Sequence, residues 1–279
     1  MVVTELLAAG AVRKMKTHLA EPVEYRAVLG EQEVPLNPYL GRELWLDYSG
    51  EINCIHCDRK TSKSFNQGYC YPCFRTLAQC DSCIMSPEKC HYAAGTCREP
   101  QWGEEHCMID HFVYLANTSG LKVGITRGSQ VPTRWIDQGA TQAQPIFRVS
   151  TRLYSGLLED VLRSHIADRT QWQAMLKGDA DHCDLDAARE RLLATCSDEI
   201  AALQRQYGLQ AITLLDSHPQ TQISYPILEY PTRIKSFNLD KSPRAGGTLL
   251  GIKGQYLIFD SGVINMRKYG GYQLSLSVN

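Results

Sequence analysis

Both ends of this chain carry short apolar or alternating runs closed by glycine, the pattern of small half-buried strands. Val23-Glu24-Tyr25-Arg26-Ala27-Val28-Leu29 and Glu43-Leu44-Trp45-Leu46-Asp47-Tyr48, bounded by Gly30, Gly41 and Gly50, predict two strands near the start. Gly247 to Asp260 predicts two more with glycine turns, and Val263-Ile264-Asn265-Met266 and Tyr272-Gln273-Leu274-Ser275-Leu276 add another pair. Neither end offers enough strands for a closed sheet, so the two ends are expected to pair into one small β-barrel or sandwich.

The middle alternates strand and helix patterns. Phe112-Val113-Tyr114-Leu115-Ala116 and Leu121-Lys122-Val123-Gly124-Ile125-Thr126 predict a hairpin across Asn117-Thr118-Ser119-Gly120. Pro132 opens a short helix carrying Arg134 and Trp135, and Pro145 to Ser150 is a third strand. Leu157, Leu158, Val161, Leu162 and Ile166 form the apolar stripe of a helix from Gly156 to Ile166, and a further helix is expected from Asp184 or Asp186 to Tyr207, stopped by Gly208. The fold class is therefore α+β: an N-terminal β segment (1–50), a cysteine module (51–108), a central α/β domain (109–215) and a C-terminal β segment (216–279) that pairs with the first.

Cysteine changes this picture most. Eight of the eleven lie between Cys54 and Cys97: Cys54, Cys57, Cys70 and Cys73, then Cys80, Cys83, Cys90 and Cys97. A C-x2-C pair on a tight turn aims two sulfurs at one point, and two such pairs close a tetrahedral zinc site. The first set has zinc-ribbon spacing; the second is less regular, and His91, His106 or Cys107 can replace one of its thiolates. Two structural Zn2+ sites are expected, with an iron–sulfur cluster as the chemical rival and disulfides as the plain alternative.

Met1 to Lys16 lacks the pattern of a secretory signal, and no stretch approaches the roughly twenty apolar residues that span a bilayer. With 29 basic against 30 acidic side chains, the chain is expected to be cytoplasmic with no membrane partner.

A hairpin, an arginine helix, a strand and a glutamate helix in this order resemble the GIY-YIG nuclease core. Phe112-Val113-Tyr114 stands at the first tripeptide, Lys122-Val123-Gly124 at the second, Arg134 at the arginine and Glu159 at the metal-binding glutamate. Lys122 replaces the second tripeptide's tyrosine, a departure that opens the catalytic assignment. The cysteine block together with Val113-Tyr114-Leu115-Ala116, Lys122 to Arg127, Thr133 to Ala140 and Asp168-Arg169-Thr170 also resembles an uncharacterised domain family that covers most of the chain.

The resemblance implies a Mg2+ or Mn2+ ion at Glu159, phosphate contact by Arg134, water orientation or activation by Tyr114, and Lys122 as substitute base or phosphate ligand. Each side chain also has an ordinary reading: Glu159 as a solvated helix carboxylate, Arg134 as a surface arginine, Tyr114 as a core aromatic, Lys122 as a solvated strand residue, and Asp168 and Arg169 as a helix-ending ion pair. Arg233, Lys235, Lys241, Arg244, Lys253, Arg267 and Lys268, interleaved with Tyr256, Phe259 and Tyr269, form a basic tail suited to DNA or RNA, or a solvated sheet face. Three classes remain open: a metal-dependent endonuclease, a non-catalytic nucleic-acid-binding protein on the same scaffold, and a zinc-stabilised interaction adaptor.

Overall fold

Strand pairing joins the two ends of the chain. The protein is described by a computed structural model covering residues 4–166, 171–216 and 219–279, so Asp168 and Arg169 lie outside the described residues. β1 (Glu5–His18), β2 (Glu24–Leu29), β3 (Gln32–Pro35) and β4 (Glu43–Asn53) come from the start, with β5 (Lys60–Thr61) a short addition to β4. The last strand of the chain (Tyr272–Val278) lies between β4 and β1, antiparallel to both, with Leu276 opposite Leu46 on one side and Ala8 on the other.

The second sheet is built on the central hairpin. β6 (His111–Asn117) pairs with β7 (Leu121–Arg127) and with β8 (Gln142–Val149), all antiparallel; β9 (Ile212–Leu214) and β10 (Thr221–Gln222) both pair with β8. The remaining strands return to the large sheet, whose order is β13 (Gly262–Asn265), β12 (Tyr256–Phe259), β11 (Arg244–Lys253), β4, β14 (Tyr272–Val278), β1, β2, β3.

Helices sit where apolar stripes require cover. α1 (Tyr71–Thr76) and α2 (Pro100–His106) belong to the cysteine segment, and α3 (Thr133–Asp137) follows β7. α4 (Arg152–Arg163) begins earlier than the apolar stripe suggests, because the Thr151 hydroxyl caps it by accepting from the Tyr154 N–H at 3.3 Å. After the short α5 (Trp172–Met175), the single helix expected up to Tyr207 is two: α6 (Leu185–Thr195), capped by Asp184, and α7 (Ser197–Tyr207). Cys196 breaks them at φ −102°, ψ 16°. Asp198 and Glu199 then begin a fresh first turn, where the helix dipole favours negative charge.

Alternation across β6 divides the core. Val113 and Leu115 pack with Leu158, Leu162, Leu192 and Ile200 of the helical layer, whereas Tyr114 and Ala116 join Trp135, Ile136 and the large sheet's core. Tyr114 and α3 therefore stand at the seam between the two sheets.

Candidate functional site

The first four cysteines converge. Cys54 follows β4, Cys70 precedes α1 and Cys73 lies in its first turn; Asp58, Asn66 and Gln67 take positive φ values in the turns between them. One ion with metal–sulfur bonds of about 2.3 Å holds tetrahedral sulfurs about 3.8 Å apart. Cys57 Sγ and Cys70 Sγ are 3.8 Å apart, and the four sulfurs all fall within 4.8 Å of one another. Burial opposes ionisation of Cys54, but backbone N–H groups of Cys57, Cys70 and His56 outweigh it and hold the thiol at about 6. A ligand that ionises this readily is ready for a metal ion.

The second set is arranged differently. Cys83, Cys90 and Cys97 line one cavity, but its fourth cysteine is Cys107, from the end of α2; Cys80 is absent from its walls. Cys80 is buried beside the first cluster, where the Asn66 side chain donates to it.

Two of the four side chains read as catalytic, Tyr114 and Arg134, meet at the seam. Tyr114 is fully buried, and its hydroxyl donates to Gln138 Oε1 at 3.0 Å while accepting from the Arg134 guanidinium. Glu159 on α4 lies within electrostatic reach of the same hydroxyl. Burial, reinforced by Glu159 and countered by Arg134, pushes the Tyr114 phenol up to about 12, so it is a neutral anchor for Arg134 near neutrality and a poor base. Gly124, directly across from Tyr114, explains the glycine of the second tripeptide: a Cβ there would stand 2.7 Å from the tyrosine hydroxyl. Lys122 pairs with Ala116 on the same face of the hairpin and is buried, 7% exposed.

Arg134 opens into a cleft whose other cations are Arg13 and Lys14 of β1 and Arg267 of the tail. Lys14 is paired with Asp137, Arg13 donates to the Ile55 carbonyl at 2.7 Å, and Arg267 donates to Gln67 Oε1 at 2.6 Å. No carboxylate lines this cleft among the described residues, so three arginines face one hollow. Arg267 feels the cost of that crowding: burial, with the nearby Arg134 charge, lowers its pKa. Guanidinium forks gathered in a concave site match phosphate oxygens.

A family model spans residues 41–274, covering both cysteine sets, Tyr114, Lys122, Arg134, Glu159 and Arg267. The chain belongs to the DUF2797 family, described as a protein of unknown function. No curated protein and no solved structure matches it. Arg13 and Lys14 lie before the matched DUF2797 region, on a strand that hydrophobic patterning does not reveal; the run Val12-Arg13-Lys14-Met15-Lys16 is the only trace they leave in sequence.

The DUF2797 tail does not form a continuous stacking surface. Phe259 and Tyr269 are core residues, Tyr256 stacks on Trp172, and Lys253 is buried against Asp179 at 2.7 Å. Arg244 lies over the Trp45 ring and beside Asp47. Of the tail's cations Arg267 alone lines the arginine cleft. Among the described residues, no helix is long and apolar enough to cross a membrane.

Proposed function

We propose that this DUF2797 member is a zinc-containing nucleic-acid-binding protein whose arginine cleft, beside Tyr114 and Glu159, cleaves phosphodiester bonds in the manner of a GIY-YIG nuclease. The observation that carries the reading is that Arg134, hydrogen-bonded to the buried Tyr114 hydroxyl within electrostatic reach of Glu159, lines a cleft together with Arg13 and Arg267. Sequence separation alone would not bring a hairpin tyrosine, a helix arginine and a second-helix glutamate together.

Each residue then has a task. Arg134, held by the Tyr114 hydroxyl, presents its remaining donors to a phosphate, and Arg13 and Arg267 bind flanking phosphates of the same strand. Tyr114 keeps its proton and fixes the guanidinium. Glu159 offers a hard oxygen ligand beside that phosphate, which fits a Mg2+ or Mn2+ ion that fills its shell with water and substrate oxygens. Such an ion, when bound, offsets charge on the phosphoryl group. Lys122, on the hairpin face that carries Tyr114, supplies a further cation or the substitute base. Zinc at Cys54, Cys57, Cys70 and Cys73 is structural, because four protein thiolates leave no coordination position for water.

A second reading keeps the cleft and drops the chemistry. The buried, neutral Tyr114 and the lysine at the second tripeptide's tyrosine position favour it. Short labelled DNA and RNA incubated with the protein, with and without Mg2+ or Mn2+, separate the two. Metal-dependent cutting by wild type and its loss in Glu159→Gln, with binding retained, supports the nuclease; binding without cutting by either protein leaves the passive binder.

A further inference from the structure

The second half of the cysteine segment has little apolar packing to hold it. No residue from 54 to 107 joins the apolar clusters that pack the two sheets, and 78–107 is a run of short turns ending in α2. A stretch without a core of its own is held by cross-links or by metal. No disulfide joins its cysteines. Cys54, Cys57, Cys70 and Cys73 gather around one point between β4 and α1, which leaves 78–107 to be held by something else.

Four thiols in that half share one hollow. Cys83 lies in the turn Ser82–Ile84, Cys90 closes the turn Pro87–Lys89, Cys97 follows the left-handed Gly95 and Cys107 ends α2; all four line a single cavity. The Cys83 and Cys107 thiols each lie within electrostatic reach of both Cys90 and Cys97. The cavity has a volume of about 20 Å3. That admits one water-sized sphere, so a single ion fits and a polynuclear iron–sulfur core has no room. A zinc ion with four sulfurs at about 2.3 Å needs no more space than this.

Four thiolates on one divalent ion carry a net negative charge, and the surroundings supply its counterpart. Cys107 and Cys83 are the anionic groups that act most strongly on Arg152, at the start of α4, and the Arg152 Nε is buried with no hydrogen-bond partner among the described residues. Its backbone N–H donates to the Cys107 carbonyl at 2.7 Å and its guanidinium to the Ile84 carbonyl at 2.7 Å, so α4 grips a turn on either side of the hollow. Gly103 lets α2 close on the site: a Cβ there would stand 3.1 Å from the Tyr92 ring and 3.4 Å from Cys97 Sγ. An ion on Asp81, Cys83 and His91, whose ligand atoms also gather, is a poorer fit. Asp81 already receives the Arg98 guanidinium at 2.8 Å and the Ser82 N–H at 2.6 Å, and Cys90, Cys97 and Cys107 would be left over.

The geometry points to a second structural Zn2+ ion held by Cys83, Cys90, Cys97 and Cys107, with Arg152 set against its thiolates. Cys107 takes the place that sequence order gives to Cys80, which lies within the field of Cys54 and receives the Asn66 side chain. With four protein ligands no coordination position is left for water, so the ion holds the fold and does no chemistry. It fixes the start of α4, the helix that carries Glu159, whether or not the arginine cleft binds nucleic acid.

The test is the metal content of the full chain, purified in reducing buffer from cells supplied with zinc and iron, read by elemental analysis and native mass spectrometry. One zinc ion for each cysteine set is expected, without iron or acid-labile sulfide. Cys107→Ser should lose half the zinc and keep the other half, which also reports that the variant folds; Cys80→Ser, Asp81→Asn and His91→Ala should keep all of it. Exchange of zinc for Co2+ gives a readout that needs no variant: the second equivalent should bring thiolate-to-cobalt absorption as strong as the first, as four sulfurs require. Zinc in the first set alone, iron in the second, a weaker second cobalt absorption, or zinc that survives Cys107→Ser and is halved in Cys80→Ser or His91→Ala would overturn the assignment.

Discussion

Tyr114 and Gly124 act as one unit, because the tyrosine ring occupies the space where a residue opposite it would carry Cβ. In Gly124→Ala that carbon would stand 2.7 Å from the hydroxyl, so the ring must move and release Arg134. Stability is expected to fall by about 1–3 kcal/mol in urea unfolding, as for overpacked cores, and nucleic-acid affinity to fall with it. Phe at position 114 keeps the packing and removes only the anchor, so Tyr114→Phe should weaken binding with a smaller loss of stability. His111 gives a pH signature at the same scale. It is fully buried, its Nδ1–H donates to the Ile109 carbonyl at 2.7 Å, and Nε2 has no partner among the described residues. Burial, aided by Arg152 and Arg127, lowers its pKa to about 4, against about 6.5 when unfolded. The unfolded chain therefore binds the extra proton first: the contribution is complete above pH ~6.5 and is lost as pH falls toward 4, costing on the order of 2 kcal/mol by pH 5. Denaturation midpoints from pH 7 to pH 5 should show that slope in wild type and a shallower one in His111→Gln. The resemblance to the GIY-YIG core is what made Tyr114, Arg134 and Glu159 legible as candidates. Gln138, which fixes the tyrosine hydroxyl, was not, since a lone glutamine near a short helix carries no pattern.

At the scale of elements, α4 couples the cysteine segment to the cleft. Gly156 lets the helix touch the turn at Pro87: an added Cβ would lie 2.6 Å from Glu88 N and from Pro87 Cβ. Alanine exceeds glycine in helix propensity by about 1 kcal/mol, so a free helix would gain from Gly156→Ala. Here the clash is expected to win, with net destabilisation of about 1–3 kcal/mol in chemical denaturation and a displaced Glu159. β1 shows why some elements escape a reading of periodicity. Its buried residues Ala8, Val12 and Met15 fall at spacings of four and three, the rhythm of a helix, because irregularities after Leu6 and Arg13 interrupt the alternation. β2, β6 and β7, short apolar or alternating runs closed by turn residues, were legible. The break at Cys196 was hidden for the opposite reason: α6 and α7 each carry helical sequence, and Ser197-Asp198-Glu199 is a start signal only if the preceding turn is known to end.

At the scale of the molecule, two assemblies depend on distant parts of the chain. β14 lies between β1 and β4, so removal of 272–279 leaves both without a partner on that side and is expected to abolish soluble folded protein. A metal ion held by Cys54, Cys57, Cys70 and Cys73, whose ligand atoms converge, would stand in for a core in the cysteine segment. Metal binding worth about 10–16 kcal/mol to a structural site is lost to a strong chelator, and hydrogen exchange should then rise across 54–107 with the central strands of the large sheet still protected. That the two ends need each other followed from counting strands; which strand lies between which did not, because register across more than two hundred residues leaves no local mark. The arginine cleft is likewise a property of the assembled chain, drawing Arg13, Arg134 and Arg267 from three separate segments.

The most direct test of that cleft is the salt dependence of binding to a labelled duplex, for wild type, Arg134→Ala and the Arg134→Ala/Arg267→Ala double variant. Each arginine that neutralises a phosphate contributes about 0.9 to the slope of log K against log salt concentration. Slopes that decline stepwise by about that amount, with weaker binding at each step, are the predicted result; identical slopes and affinities for all three proteins would contradict it.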